Sequence, residues 1–379
     1  MSVRTALNAD MDRLVRPTVT LGGRALPTFQ VCGVTGLVLA VLLAMALVVS
    51  RGLSPWVMAA VVGSAVATFF ALAFASKIVG GEEQLVYYHH EIGVLTVAAL
   101  LLWALGQPVL AFLDATILGI GLFLVCGRIG CFMVGCCHGR PGRLGVCYNQ
   151  GHARAGFPGY FVGVRLFPSQ LVEALLALII VAVGSAMVLK GFPPGAALAW
   201  YIVAYDVGRF CLEFQRGDGG RPYYRGFSEA QWISLTLTWL VVLAGALGLL
   251  PAATWHGIAA VALTALLLGV AVKRRYQGNW RFSLLRADHI QEVARALTGD
   301  SLPSVAVSRT SQGIQISADH LHTETGDLDH VALSRTDGPL NDQEAAVLAG
   351  LVMQLRPQVA EAQLIRGEQG VMHLLAGPA

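Results

Sequence analysis

Charge is what this 379-residue chain has least of. Asp, Glu, Lys and Arg make up 13% of it, where soluble domains carry roughly a quarter, and none falls between positions 231 and 272. With 55% hydrophobic residues, that excludes an ordinary soluble fold and reads as a membrane protein. Basic residues are too few and too scattered for a nucleic-acid binder: the net charge is +3, and no basic stripe interleaved with aromatics appears. Cysteine is missing from the last third. All seven lie at or before position 211, at 32, 126, 131, 136, 137, 147 and 211, and an odd number cannot be fully paired within one chain, which excludes a complete disulfide scaffold. No repeat or low-complexity segment is present. A cleavable leader is a poor reading, because the first apolar run starts near residue 29, exceeds 20 residues and lacks an A-x-A exit.

What is there is a series of apolar runs. Eight of them, near 29–50, 55–76, 86–105, 108–126, 168–189, 194–214, 230–249 and 253–272, are long enough to cross a hydrocarbon core roughly 30 Å thick as helices. Charge then returns: residues 31–272 carry 21 charged side chains, and the 107 residues from Lys273 onward carry 22. The expected fold class is an all-α polytopic membrane protein of seven to eight transmembrane helices with a small soluble α+β domain after it. The expected domains are an N-terminal segment (1–28), a membrane domain (29–272) and the C-terminal domain (273–379). In that tail, "DHIQEVARAL" (288–297) and "DQEAAVLAGLVMQL" (342–355) read as helices. "SVAVSRTSQGIQISA" (304–318), "HVALSRT" (330–336) and one last strand near "LIRGEQGVMHLLA" read as strands, with a hairpin turn at Gln312-Gly313.

An ionisable group in a membrane helix costs at least a few kcal/mol and is a functional-site hypothesis by default. In "AYDVGRFCLEFQRGD" (204–218), Tyr205, Arg209 and Glu213 recur at every fourth position, one stripe of a helix, with Asp206 and Arg216 beside it; a purely structural Arg209–Glu213 pair fits equally well. In "GRIGCFMVGCCHGRPG" (127–142), expected to open a long loop at 127–167, Arg128 and Arg140 stand among glycines. Guanidinium forks match phosphate oxygens, so an anionic lipid headgroup suits this stretch, as does nonspecific snorkelling to the interface. "YYHHEIG" (87–93) adds His89, His90 and Glu91. The histidines point about 100 degrees apart on a helix and cannot share one metal. Cys131, Cys136, Cys137 and His138 offer further soft ligands, but C-x4-C-C-H lacks a second C-x2-C pair, so zinc and free interfacial thiols both stand as readings.

"GRIGCFMVGCCHGRP" resembles the signature of the prolipoprotein diacylglyceryl transferase family, G-R-I/L-x-N-F-x-N-G-E-x-x-G-R. "FPSQLVEALL" (167–176) is similar to the family's H-P-S-Q-L-Y-E segment, "YDVGRFCLEFQRGD" to its Y-x-x-x-R-F-x-x-E-F-x-R block, and "SEAQWISL" (228–235) to its G-Q-x-x-S stretch. The four segments keep their order across roughly residues 30–250. The resemblance implies a multi-pass enzyme of the bacterial inner membrane. Such an enzyme takes the diacylglyceryl group from phosphatidylglycerol, or another anionic phospholipid, forms a thioether with the cysteine of a lipoprotein precursor, and needs no cofactor. It implies Arg128, Arg209 and Glu213 as catalytic residues, with His89 or His90 as base and His138 behind them. It implies Gly127, Cys131, Cys136, Gly139, Arg140, Gln170 and Tyr205 as substrate-binding, with Gly135 another signature glycine. The chain departs from the pattern at Cys131 for asparagine, Cys136 for glutamate and Phe167 for histidine; the family's catalytic histidine falls on Tyr88 or a shifted His89, and its early tyrosine on Cys32. The family has seven spans and an outside N-terminus, whereas the Lys and Arg count favours cytoplasmic termini. Two other readings remain: a phospholipid-using enzyme with cysteine chemistry and another acceptor, and a non-catalytic lipid-binding protein with a sensing tail.

Overall fold

The computed structural model describes residues 2–80, 86–298, 307–323, 326–356 and 359–378. A first helix α1 (Val3–Leu14) and the hairpin β1 (Thr18–Leu21) and β2 (Arg24–Pro27) lead into α2 (Thr28–Ser50), α3 (Pro55–Gly80), α4 (Tyr87–Ala104) and α5 (Val109–Val134). A long connection holds β3 (Pro141–Cys147), the short α6 (Gln150–Arg154) and β4 (Arg165–Leu166). Then come α7 (Ser169–Leu189), α8 (Ala196–Leu212), the two-residue strands β5 (Tyr223–Tyr224) and β6 (Phe227–Ser228), α9 (Glu229–Ala246) and α10 (Thr254–Gln277). The tail adds α11 (Trp280–Leu284), α12 (Ala287–Leu297), β7 (Ser308–Arg309), β8 (Ile314–Thr323), β9 (Gly326–Arg335), α13 (Asp342–Leu355), β10 (Val359–Arg366) and β11 (Met372–Pro378).

All eight expected apolar runs form helices, and six of these are long and apolar enough to cross a membrane by length and composition. This is a polytopic helical membrane protein with an α+β tail. The axis of the bundle is α5: 61% of its most apolar window is buried, against 17 to 39% in the other five. Its far end anchors α8, since the Asp114 carboxylate accepts the backbone N–H of Gly195 and of Leu198, each at 2.8 Å. These are donors a helix N-terminus leaves without intrahelical partners. The Arg51 guanidinium donates to the carbonyl of Val188 at 3.3 Å, closing the C-terminal end of α7 in the same way.

Two expectations are corrected. Helix α5 continues to Val134, so Arg128 and Cys131 sit on a helix and not in a loop opening at 127. It stops at Gly135, whose left-handed φ of 89° and N–H bond to the Cys131 carbonyl (2.9 Å) cap the helix. The single last strand is two antiparallel strands, β10 and β11, reversed by a turn at Glu368–Gly370. Otherwise the tail follows its sequence pattern. Its antiparallel sheet runs β10-β11-β9-β8-β7, Gly313 takes φ 72° in the turn before β8, and a reciprocal Asn341–Glu344 capping box starts α13. Residues 304–306 of the expected strand lie outside the described residues.

The tail is packed against the membrane body's long connection. One apolar cluster joins Phe132, Tyr148, Phe157 and Phe161 to Leu284, Ile290, Val293, Leu348 and Leu374. Helix α1 clasps β3, and its Met11 joins the same cluster. Asn8 bonds the backbone of Arg143 and Gly145, and Asp12 takes the Cys147 N–H at 2.8 Å and pairs with Arg165 at 2.9 Å.

Candidate active site

Where α5 and α8 end and α7 begins, charges converge. Glu173, on the first turns of α7, is fully buried. One of its oxygens meets Arg128 Nη2 at 3.1 Å and accepts the Tyr205 hydroxyl at 2.6 Å. The other lies 3.8 Å from both Arg209 Nη1 and Arg216 Nη1. Arg209 also pairs with Glu213 at 2.8 Å, and Arg221 closes on the same Glu213 carboxylate. Arg216 forks onto Asp218 with two bonds of 2.7 Å. Burial alone would raise the Asp218 carboxyl, but the Arg216 charge and its bonds hold it below the usual range.

Four guanidiniums (128, 209, 216, 221) thus face three carboxylates (173, 213, 218), an excess of one positive charge, or two with the half-buried Arg140. Among the described residues, Arg128 Nε is buried with no hydrogen-bond partner, and so are Arg209 Nη1 and Arg216 Nη1 together with Glu173 Oε2, the oxygen they face at 3.8 Å. A buried donor left unfilled costs about 1–3 kcal/mol. A site with excess positive charge and such donors has the chemistry to accept an anion.

The turn after α5 lies beside this cluster. Gly139 forms a bridge with Arg216, Arg140 N–H bonds the Gln215 carbonyl at 3.0 Å, and Gly217 N–H bonds the His138 carbonyl at 3.0 Å. A Cβ on Gly139 would stand 2.6 Å from the Phe167 carbonyl oxygen, so only glycine lets the two backbones approach. Gln170 Nε2 donates to the Cys136 carbonyl at 2.7 Å, and Ser169 Oγ to that of Cys137 at 3.0 Å. The Sγ atoms of Cys131, Cys136 and Cys137 all lie within 4.8 Å of one another. Hydrogen bonds from Cys131 and Cys136, with the charges of Arg216 and Arg128, outweigh burial and bring the Cys137 thiol well below its ordinary value.

The expected site residues therefore divide. Arg128, Arg209, Glu213 and Tyr205 meet in one cluster, with Cys136, Gly139 and Arg140 on the adjoining turn, Cys131 at the end of α5 and Gln170 at the start of α7. A Cβ on Gly127 would meet nothing within 4 Å, so packing does not demand a glycine there. His89 and His90 are not brought to the arginines. The His89 side chain is 51% exposed and faces Glu229 at 3.3 Å. His90 turns Nδ1 to the Val86 carbonyl at 2.9 Å and packs on Phe69. The helix face between them belongs to Tyr88, whose hydroxyl donates to Asp206 at 2.7 Å and bonds Ser234. His138 is enclosed by Phe157 and Phe161, bonds the Gly139 carbonyl, and is pushed below its ordinary value by burial.

Sequence reasoning passed over Glu173, Asp218 and Arg221 as site residues and noted Arg216 only beside the stripe of Tyr205, Arg209 and Glu213. Glu173 carried a usable signal, a carboxylate four residues into an apolar run, the feature that singled out Arg209.

A family model described as prolipoprotein diacylglyceryl transferase matches residues 18–248. The chain belongs to that family. Over 129 residues it is 32% identical to the phosphatidylglycerol–prolipoprotein diacylglyceryl transferase of Clostridium tetani, a match covering 34% of this chain and 49% of the relative. It is 29% identical over 133 residues to transferase 2 of Clostridium perfringens (34% and 48% covered). It is 31% identical over 132 residues to the enzyme of that name from Dehalococcoides mccartyi (34% and 48%). The chain spans about half the length of the curated relatives it matches. The matched region contains the whole arginine cluster and ends before α10 and the tail.

Proposed function

We propose that this chain is a transferase of the bacterial inner membrane that moves the diacylglyceryl group of phosphatidylglycerol, or another anionic phospholipid, to the cysteine thiol of a lipoprotein precursor. Family membership and the names of the relatives support the reading. The observation that carries it is the set of buried, unpartnered guanidinium N–H groups around Glu173. A phosphodiester brings one negative charge, and the departing glycerophosphate carries about two. The excess of one to two positive charges therefore gains most as the leaving group forms, which is the requirement for catalysis by differential stabilisation.

In this scheme Arg128 and Arg209 grip the phosphate and Arg140 reaches it from the turn. Glu173, Glu213 and Tyr205 hold the guanidiniums in place, and Gly139 and Gln170 fix the turn against which the headgroup rests. His89 and His90 take no part. The division into segments 1–28, 29–272 and 273–379 is part of the same proposal, with the tail bearing on the connection after α5.

Purified protein in detergent, given phosphatidylglycerol and a peptide bearing a lipobox cysteine, is expected to add one diacylglyceryl mass to the peptide. A peptide that stays unmodified, while the protein still binds the lipid, would leave a binding site without the proposed reaction.

A further inference from the structure

Two of the positions at which this chain departs from the family signature, Cys131 and Cys136, lie beside a third cysteine, Cys137. Cys131 is in the last turn of α5, and Cys136 and Cys137 follow the Gly135 cap. Cys137 takes φ 57°, a backbone conformation costing on the order of 1 kcal/mol or more for a residue with a side chain. The carbonyls of Cys136 and Cys137 are held from α7 by Gln170 and Ser169, which fixes the turn's backbone from outside it. Tetrahedral zinc with Zn–S bonds of about 2.3 Å needs sulfurs roughly 3.8 Å apart. The three Sγ atoms already lie within 4.8 Å of one another, leaving a closure that side-chain rotation supplies. Among the described residues no fourth His, Cys, Asp or Glu ligand atom joins the three, the pattern of a site that keeps one position open.

We propose that Cys131, Cys136 and Cys137 form a three-thiolate zinc site whose open position binds the acceptor cysteine as a thiolate. This would serve in place of the asparagine, glutamate and histidine of the family signature. The role, though not the metal site, rests on the transfer reading above. On loading, Zn2+ displaces the thiol protons of the three cysteines to solvent. The acceptor thiol binds with loss of its own proton to water, since a coordinated thiol is deprotonated. Its sulfur forms a bond to the glyceryl carbon as the carbon–oxygen bond to phosphate breaks. The glycerophosphate leaves with that electron pair against Arg128 and Arg209. The neutral thioether is a poor ligand and departs, and the metal keeps its oxidation state throughout.

The test uses full-length protein in detergent. Zinc content is measured directly, and Co2+ is added to zinc-free protein to look for the thiolate-to-cobalt charge-transfer band. About one zinc per chain is expected, with the band lost in Cys136→Ser and in Cys137→Ser and kept in Cys211→Ser, an exposed thiol on α8. Retained phosphatidylglycerol binding shows that the serine variants are folded. Transfer to the peptide is expected to fall about 100-fold on zinc removal and to return on adding zinc, the scale of a lost acid–base contribution. Folded protein with neither zinc nor the band overturns the site. Zinc that can be removed without changing transfer overturns its role. Bound zinc with no transfer under any condition overturns the transfer reading and the role together, while the metal site stands.

Discussion

Helix α5 buries an ionisable side chain near each end, and the two have opposite meanings. At one end both Asp114 oxygens are filled by N–H groups at the start of α8. That charge is spent on holding two helices together. At the other end Arg128 pairs with Glu173 yet keeps Nε buried without a partner, as do Nη1 of Arg209 and of Arg216. A charge inside a membrane bundle is thus no sufficient mark of function. What separates the two ends is hydrogen-bonding capacity left over after the fold has been satisfied.

Breaking this contrast starts at its centre. Replacing Glu173 with Ala strips the carboxylate shared by three arginines. It is expected to lower stability by about 3–5 kcal/mol, the scale of removing one partner from a buried ion pair, and to abolish transfer; a denaturation midpoint in detergent checks the first. Arg209→Lys keeps the charge but loses the planar fork, so the transfer rate should drop about 100-fold with the fold intact. Asp114→Asn should do the reverse, costing about 1–2 kcal/mol in the midpoint by weakening the cap on α8 while transfer stays within about twofold. If Asp114→Asn instead removed transfer at unchanged stability, the contrast would fail. Smallest is His89→Ala, which breaks an exposed pair with Glu229 worth under about 1 kcal/mol and should leave the transfer rate unchanged.

Much of the fold was legible because its signals are local. The apolar runs marked eight helices, and α13 begins and ends where its periodicity and capping box place it. The end of α5 was not legible. Arg128 interrupts the apolar run, but the helix continues because the guanidinium finds Glu173 on α7, a partner that only the folded chain supplies. Glu173 itself was visible as a carboxylate in "LVEALLALII" and was passed over for lack of charged neighbours in sequence. The thiols were noticed as residues, but their convergence depends on the left-handed backbone at Gly135 and Cys137, which no spacing pattern encodes. Arg128 and Arg209 come together at Glu173 because that needs only two arginines on neighbouring helices. His89 and His90, the expected candidate bases, face Glu229 and the Val86 carbonyl, and the helix turns Tyr88 inward instead.

The central claim is that the unfilled guanidinium donors at one end of α5 exist to hold a lipid phosphate. Native mass spectrometry of detergent-purified protein, counting retained phosphatidylglycerol in the wild type, Arg128→Ala and Asp114→Asn, tests it most directly. The wild type and Asp114→Asn should retain the lipid equally, and Arg128→Ala should lose it by about tenfold or more, the scale of one charge-assisted bond. Equal retention by Arg128→Ala and the wild type would contradict the account.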